Sequence, residues 1–228
     1  MITLGFDTAL QSCSLAILRD GVVLSDKFLP LEKGHAEALA PLAASALAEA
    51  GMAVSDLDRV GVVVGPGGFA GVRVGLAFAR GLALGTGVAA VGVTSLEALA
   101  AAVEDAPQGG LAAAVIDARR GQVYAGLYGP GGAPRLAPFV ADPEIAAEKL
   151  KAAADGALAA LVGSGAGQVS AHLPDWPASN APAQIDAKIV ARLAARAPLP
   201  DGPPAPLYLR PPDARPPGRS ALAGLSQA

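Results

Sequence analysis

Residues 2–18 read ITLGFDTALQSCSLAIL. An apolar run ends at Asp7, a short turn follows, and a second apolar run fills 12–18. This pattern predicts two strands joined by a tight connection. The RDG at 19–21 is a turn signal, and 22–29, VVLSDKFL, reads as a third strand. The same order returns 110 residues further on, from Asp7 to Asp117. There LAAAVID at 111–117 ends on an aspartate, GQVYAGLY at 121–128 forms the next strand, and GPGG turns the chain. Strand, aspartate, turn, strand and glycine turn, met twice, predict two related lobes that each open with a hairpin.

The rest of the chain alternates helix and strand patterns, which places it in the α/β class. Residues 35–50 carry strong helix formers and stop at Gly51, with Pro41 either kinking the helix or marking its start. A short helical entry is expected at 55–58, a buried strand at 59–64 and a nearly uncharged helix at 71–86. A strand at 88–93 and a helix at 94–104 follow, the latter opened by a capping box of Thr94 and Glu97. Later expectations are a helix at 142–154 with Pro143 in its first position, a strand and Gly/Ser loop over 157–167, and an amphipathic helix at 186–197. Nine prolines between 198 and 217 exclude regular structure there, apart from a short extended piece at PLYLR. The domain reading is one lobe over 1–104, a second over 105–217 ending in the proline-rich segment, and a disordered tail over 218–228.

Composition narrows the function classes. The net charge is −3, without a Lys/Arg block, which argues against direct nucleic-acid binding. Much of the 52% hydrophobic content is alanine, and the charge-free run at 156–174 is broken by Gly, Ser, Gln and His. No membrane span is expected. The N-terminus lacks a basic leader, so a cytoplasmic location is expected. A lone cysteine, Cys13, excludes an internal disulfide and a multi-cysteine metal site, and His35 and His172 are the only histidines. No catalytic and no metal-ligating residue is assigned.

The glycine-rich GPGGFAGVRVG at 65–75 poses the sharpest question. A phosphate loop of the G-x-x-x-x-G-K-[ST] kind needs a lysine and a hydroxyl, and here Val72 and Arg73 follow the glycine. Gly65, Gly67 and Ala70 satisfy G-x-G-x-x-A, but the next strand ends in VGVTS and offers no acid for a ribose. The steric reading is favoured: Gly65, Gly67, Gly68, Gly71 and Gly75 form a structural loop and helix start where backbones come close. Arg73 and Arg80 lie two turns apart on one face of a helix with hardly any other charge, which suggests a partner surface. Asp7 and Asp117 stand where actin-like ATPases hold magnesium-bound water, but position alone favours a turn or helix-capping aspartate.

FDTALQSCSLAILRDG, GPGGFAGVRVGLAFARGLA, GVTSLEALA, DARRGQVYAGLY and the late LYLR together resemble the TsaB (YeaZ) family. The resemblance is strong over residues 1–130 and thin beyond. It implies an actin/Hsp70-like (ASKHA, ribonuclease H-like) fold with duplicated mixed sheets flanked by helices. It implies a non-catalytic subunit that pairs with TsaD, with TsaE as a third component, in making threonylcarbamoyladenosine beside the tRNA anticodon. Homodimerisation is expected when the partner is absent, and tRNA is met only through the complex. ATP and a divalent metal would then sit on the partners, leaving no cofactor on this chain and only a vestigial nucleotide site at Asp7 and Asp117. The implied interface joins Phe69, Val72, Arg73, Leu76, Phe78 and Arg80 to His35 and Leu39. Two departures stand out. The family loop resembles G-P-G-S-F-T-G, whereas Gly68 and Ala70 replace both hydroxyl residues here, and Gln122 stands where the family often has glutamate. The competing classes are a glycoprotease-like metallopeptidase and a free-standing actin-like ATPase or sugar kinase, for which VGSGAG at 162–167 is the adenosine-motif candidate.

Overall fold

The computed structural model of the protein describes residues 1–210. The expectation of a disordered tail at 218–228, and the end of the proline-rich segment, lie outside the described residues. The first lobe contains β1 (Ile2–Asp7), β2 (Ser12–Arg19), β3 (Val22–Pro30), α1 (His35–Glu49), β4 (Arg59–Val63), α2 (Phe69–Thr86) and β5 (Ala89–Val93); α3 (Ser95–Ala101) comes next in the chain and packs on the second sheet. A short 3-10 turn at Val54–Asp56 precedes β4. The second lobe contains β6 (Leu111–Arg119), β7 (Gln122–Tyr128), β8 (Pro134–Ala141), α4 (Pro143–Ala154), β9 (Ala159–Val162) and α5 (Ala166–Ser170); α6 (Ala187–Arg196) follows.

The sheets repeat one plan. The first has the order β3-β2-β1-β4-β5 and the second β8-β7-β6-β9. In each, three antiparallel strands meet a parallel pair at the central strand, β1 on β4 and β6 on β9. The fifth position of the second sheet shrinks to one parallel bridge between Leu161 and Ala178. This is the duplicated two-lobed arrangement expected from the twin hairpins, and it agrees with the actin/Hsp70-like fold that the resemblance implies. Two elements were not foreseen. β8 carries Pro134 and Pro138 and lacks clean alternation, as an edge strand allows. α5 is a single short turn of five residues. Pro41 lies inside α1 rather than at its start. The capping box forms as expected, Thr94 Oγ1 accepting from Glu97 N–H at 3.1 Å.

The sequence division at 104/105 assigns α6 to the second lobe. This helix packs on β1, β2 and β4 of the first sheet, not on the second. The cause is steric. Gly5 and Gly61 pair side by side on β1 and β4. A Cβ on Gly5 would stand 2.4 Å from the Ala191 nitrogen, and one on Gly61 would stand 2.6 Å from Ala194 Cβ. The small face of α6, Ala187, Ala191 and Ala194, is wholly buried in this trough. Arg59 on β4 donates to the carbonyls of Ala194 (2.9 Å) and Ala197 (2.5 Å), satisfying acceptors that a helix end leaves open. Among the described residues no helix is long and apolar enough to cross a membrane.

Gly5→Ala and Gly61→Ala should each cost about 2 kcal/mol or more, because α6 has to lift off the sheet. Urea denaturation should show lower midpoints at unchanged slope. A midpoint equal to wild type would contradict the close-packing account.

Candidate functional site

A cleft of about 770 Å³ opens between the lobes. The turn after β1, the loop before α1 and the start of α2 form its first wall. Ile116, Asp117, Ala118, Arg119, Tyr124 and Ser164 of the second lobe form the other. Each wall is built on a glycine loop that follows a parallel strand. In the first loop Gly65 has φ +99°, and a Cβ on Gly67 would lie 2.5 Å from the Ala9 carbonyl oxygen. In the second loop Gly163 has φ +103°, and its Cβ would lie 2.3 Å from the Val115 carbonyl oxygen. Val64-Gly65-Pro66-Gly67 and Val162-Gly163-Ser164-Gly165 are therefore counterparts. VGSGAG, offered by sequence as an adenosine motif, is the second copy of this backbone packing device, with Ser164 Oγ accepting from Asp117 N–H at 3.1 Å.

The steric reading of the glycine stretch holds at its start. A Cβ on Gly71 would sit 1.8 Å from the Thr8 carbonyl oxygen, and one on Gly75 2.6 Å from Thr8 Oγ1. Gly68 N–H donates to the Ala9 carbonyl at 2.7 Å, and Thr8 Oγ1 donates to the Gly71 carbonyl at 2.8 Å. α2 is thereby pressed onto the turn that follows Asp7.

The two aspartates part company. Asp7 is fully buried and does not line the cleft. One carboxylate oxygen accepts from Ala9 N–H at 2.7 Å, and the other has no partner among the described residues. Burial pushes this carboxyl up to about 7, against backbone N–H groups of Ala9, Leu10 and Thr8 that pull it down. Burial, with Asp7 beside it, also pushes the Cys13 thiol up to about 11, in keeping with a core cysteine. Asp117 is in the cleft wall, where it accepts from Arg119 N–H at 2.8 Å and pairs with the Arg119 guanidinium at 3.4 Å.

The expected interface residues also divide. Val72, Leu76 and Leu39 are core residues of this chain, so no partner reaches them without unfolding it. Their apolar character came from the inward stripe of each helix. Phe78 is half-buried, edge-on to Phe6 with centroids 5.6 Å apart. His35 starts α1 at the cleft rim, its Nε2 3.2 Å from the Leu10 carbonyl. Arg73 and Arg80 are exposed but turn to the chain's own C-terminal segment: Arg80 donates twice to the Pro204 carbonyl, at 2.7 and 3.2 Å, and Arg73 Nε donates to the Tyr208 hydroxyl at 3.2 Å. The Arg73 guanidinium also lies 3.6 Å from the centre of the Phe69 ring, which packs on Tyr208.

The open face of α2 consists instead of Ala70, Ala77, Gly81, Leu84 and Gly85, beside Ala36, Ala40, Pro41, Ala44 and Ala48 on α1, among which Glu37 is the one charged residue. Leu84 is 91% exposed. A Cβ on Gly81 or Gly85 would meet nothing within 4 Å. A glycine inside a helix costs about 1 kcal/mol relative to alanine, and no packing among the described residues explains these two. The signal for them in the sequence is that Gly81 and Gly85 recur about a half-turn away from the apolar stripe.

A family model described as TsaD, tRNA N6-adenosine threonylcarbamoyltransferase, matches residues 28–139. The Bacillus subtilis (strain 168) tRNA threonylcarbamoyladenosine biosynthesis protein TsaB is 38% identical over 128 residues, 56% of this chain and 55% of that protein. The chain spans about half the length of the curated relatives it matches. YeaZ from Pseudomonas aeruginosa is 31% identical in its solved structure, with a TM-score of 0.67 over 85% of this chain and 90% of that one. The chain belongs to the TsaB/YeaZ family. A second Pseudomonas aeruginosa structure, of a protein with similarity to the peptidase YeaZ, has 32% identity and a TM-score of 0.74 over 92% of this chain and 99% of that one. Membership of this family fits the duplicated sheets and places the cleft and the α2 face among the features to be explained.

The raised Asp7 group sets a pH dependence. Folding favours its protonated form, so its contribution to stability falls as pH rises from about 4 to about 7. Asp7→Asn should lack this contribution. Urea midpoints measured from pH 4 to pH 8 should show the variant gaining on wild type as pH rises; a constant gap would mean that the carboxyl titrates normally.

Proposed function

We propose that this chain is a non-catalytic scaffold subunit in the synthesis of threonylcarbamoyladenosine in tRNA, binding and activating a TsaD protein through the open face of α1 and α2. The observation that carries this reading is the pair of helix glycines, Gly81 and Gly85, with space above them and a 91% exposed Leu84 beside them. Small residues on two adjacent helices let a second pair of helices approach to backbone distance, and the face carries little charge to desolvate. The names of the relatives supply the pathway, and the match of a TsaD model to residues 28–139 supports a partner built on the same plan as this chain. Two such folds can pack like helix faces together. In this reading nucleotide and metal sit on the partners, TsaE joins the pair, tRNA is reached through the assembly, and the chain pairs with itself through the same face when alone.

A second reading, nucleotide binding by the chain itself, draws on the cleft of about 770 Å³ with Asp117 in its wall. The sealed Asp7 counts against it, since that carboxylate meets no solvent. Calorimetric titration of the isolated chain with ATP and magnesium separates the two: a saturable heat favours the second reading.

Mixing the chain with TsaD of the same organism should give a one-to-one complex by size-exclusion chromatography with light scattering. Ala77→Glu and Leu84→Glu should remove it while leaving the fold intact, because both side chains point to solvent. Gly81→Ala should raise the urea stability of the isolated chain by about 0.5–1 kcal/mol and weaken the complex. A complex untouched by all three variants would place the interface elsewhere, and no complex at all would end the scaffold reading.

A further inference from the structure

The segment after α6 crosses the molecule. Pro204 is buried, and its ring lies 3.4 Å from the Cβ position of Gly92 on β5. Leu207 N–H donates to the Val64 carbonyl at 2.8 Å, just past the end of β4. Arg80 and Arg73 of α2 hold the segment at Pro204 and Tyr208, as described above. All these contacts are to the first lobe. The next residues change sides: Arg210 donates to the Ala118 carbonyl at 3.1 Å and to Gln122 Oε1 at 2.7 Å. Both acceptors belong to the β6–β7 hairpin, which carries Asp117 and Arg119 into the cleft. Gln122 is itself fixed, its amide donating to Asp142 Oδ1 at 3.2 Å.

We propose that residues 204–210 form an interlobe clasp, which fastens the β6–β7 hairpin of the second lobe to α2 of the first and so sets the opening of the cleft. Three features carry this. The segment has a continuous run of anchors on one lobe, so Arg210 starts from a fixed point. Its last anchor is a charged donor with two acceptors on the other lobe, and hydrogen bonds from an ionised group are the stronger kind. The prolines at 203, 204 and 206 stiffen the anchored stretch, which lowers the entropy lost on holding it. Phe69 and Ala118 both line the cleft. Tyr208 packs on the first and Arg210 binds the second, so the clasp spans one rim of the opening. The proposal does not depend on the partner assigned to the α2 face.

Spin labels at Glu37→Cys on α1 and Lys151→Cys on α4 report the distance between lobes, with Cys13 sealed in the core and unlabelled. Double electron–electron resonance on the labelled full chain, diluted in excess unlabelled chain so that only distances within one molecule are read, should give one narrow distribution. Arg210→Ala should broaden it, and hydrogen exchange in the hairpin amides 119–124 should speed up by about tenfold, the loss expected for a charged hydrogen bond, with β1 and β4 unchanged. Gln122→Ala should do the same to a smaller extent, since the Ala118 carbonyl remains. An unchanged distribution and unchanged hairpin exchange in Arg210→Ala would overturn the clasp. So would faster exchange spread equally through β1 and β4, which would mark general destabilisation.

Discussion

The contact between α6 and the first sheet is closer than any side chain permits, and much of the remaining architecture follows from it. Gly5 and Gly61 lie side by side in the middle of two apolar strands, where a larger residue would otherwise add buried surface. Giving up those side chains lets Ala187, Ala191 and Ala194 settle against backbone. The contact energy is then dispersion between closely packed atoms along the helix rather than the interlocking of large groups. With one face of the sheet closed in this way, α1 and α2 are left to cover the other. The chain leaving α6 is also committed to the first lobe, so the segment at 204–210 has to pass along β5 and α2 before it can meet the β6–β7 hairpin.

The two lobes use one device unequally. Each glycine loop turns sharply after a parallel strand and brings its second glycine against the backbone of the neighbouring strand or turn. In the second lobe the helix that follows has five residues, whereas α2 has eighteen. The extra length is what adds Gly81, Leu84 and Gly85, which nothing among the described residues covers. Duplication therefore made the cleft, and the departure from duplication made the exposed face. The loss of hydroxyls at Gly68 and Ala70 fits this division. Gly68 contributes its N–H to the Ala9 carbonyl and Ala70 stands on the open face, so neither position uses a side-chain oxygen in holding the loop.

Much of this was legible in the sequence because it depends on local pattern. The twin strand–Asp–turn–strand segments announced the duplication, Thr94 and Glu97 announced a helix start, and the glycines of 65–75 announced close backbone approach. What stayed hidden depends on contacts distant along the chain. Nothing near residue 190 says which sheet α6 will cover; the sign is at Gly5 and Gly61, more than a hundred residues away, and it reads as a weakness in a strand until the partner is seen. Val72, Leu76 and Leu39 look like interface residues because apolar periodicity does not say whether a helix stripe faces its own core or another chain. Arg73 and Arg80 look like an exposed basic pair because the carbonyl and hydroxyl that they bind come from the proline-rich stretch. Asp7 and Asp117 occupy matching places in sequence, yet one is sealed and the other lines a cleft, since only the first lies beneath a long helix.

The return of α6 to the first sheet has a consequence for the order in which the molecule is made. When residue 104 has been synthesised, the first lobe has all five of its strands but lacks the helix that closes one face of the sheet. That helix is completed only at residue 196. At about 5–20 residues per second, the gap amounts to roughly five to twenty seconds of translation, during which the trough along Gly5 and Gly61 stands open. The nascent chain therefore carries a slot shaped for an alanine-faced helix well before its own helix exists, and the first lobe matures only after the second has been made.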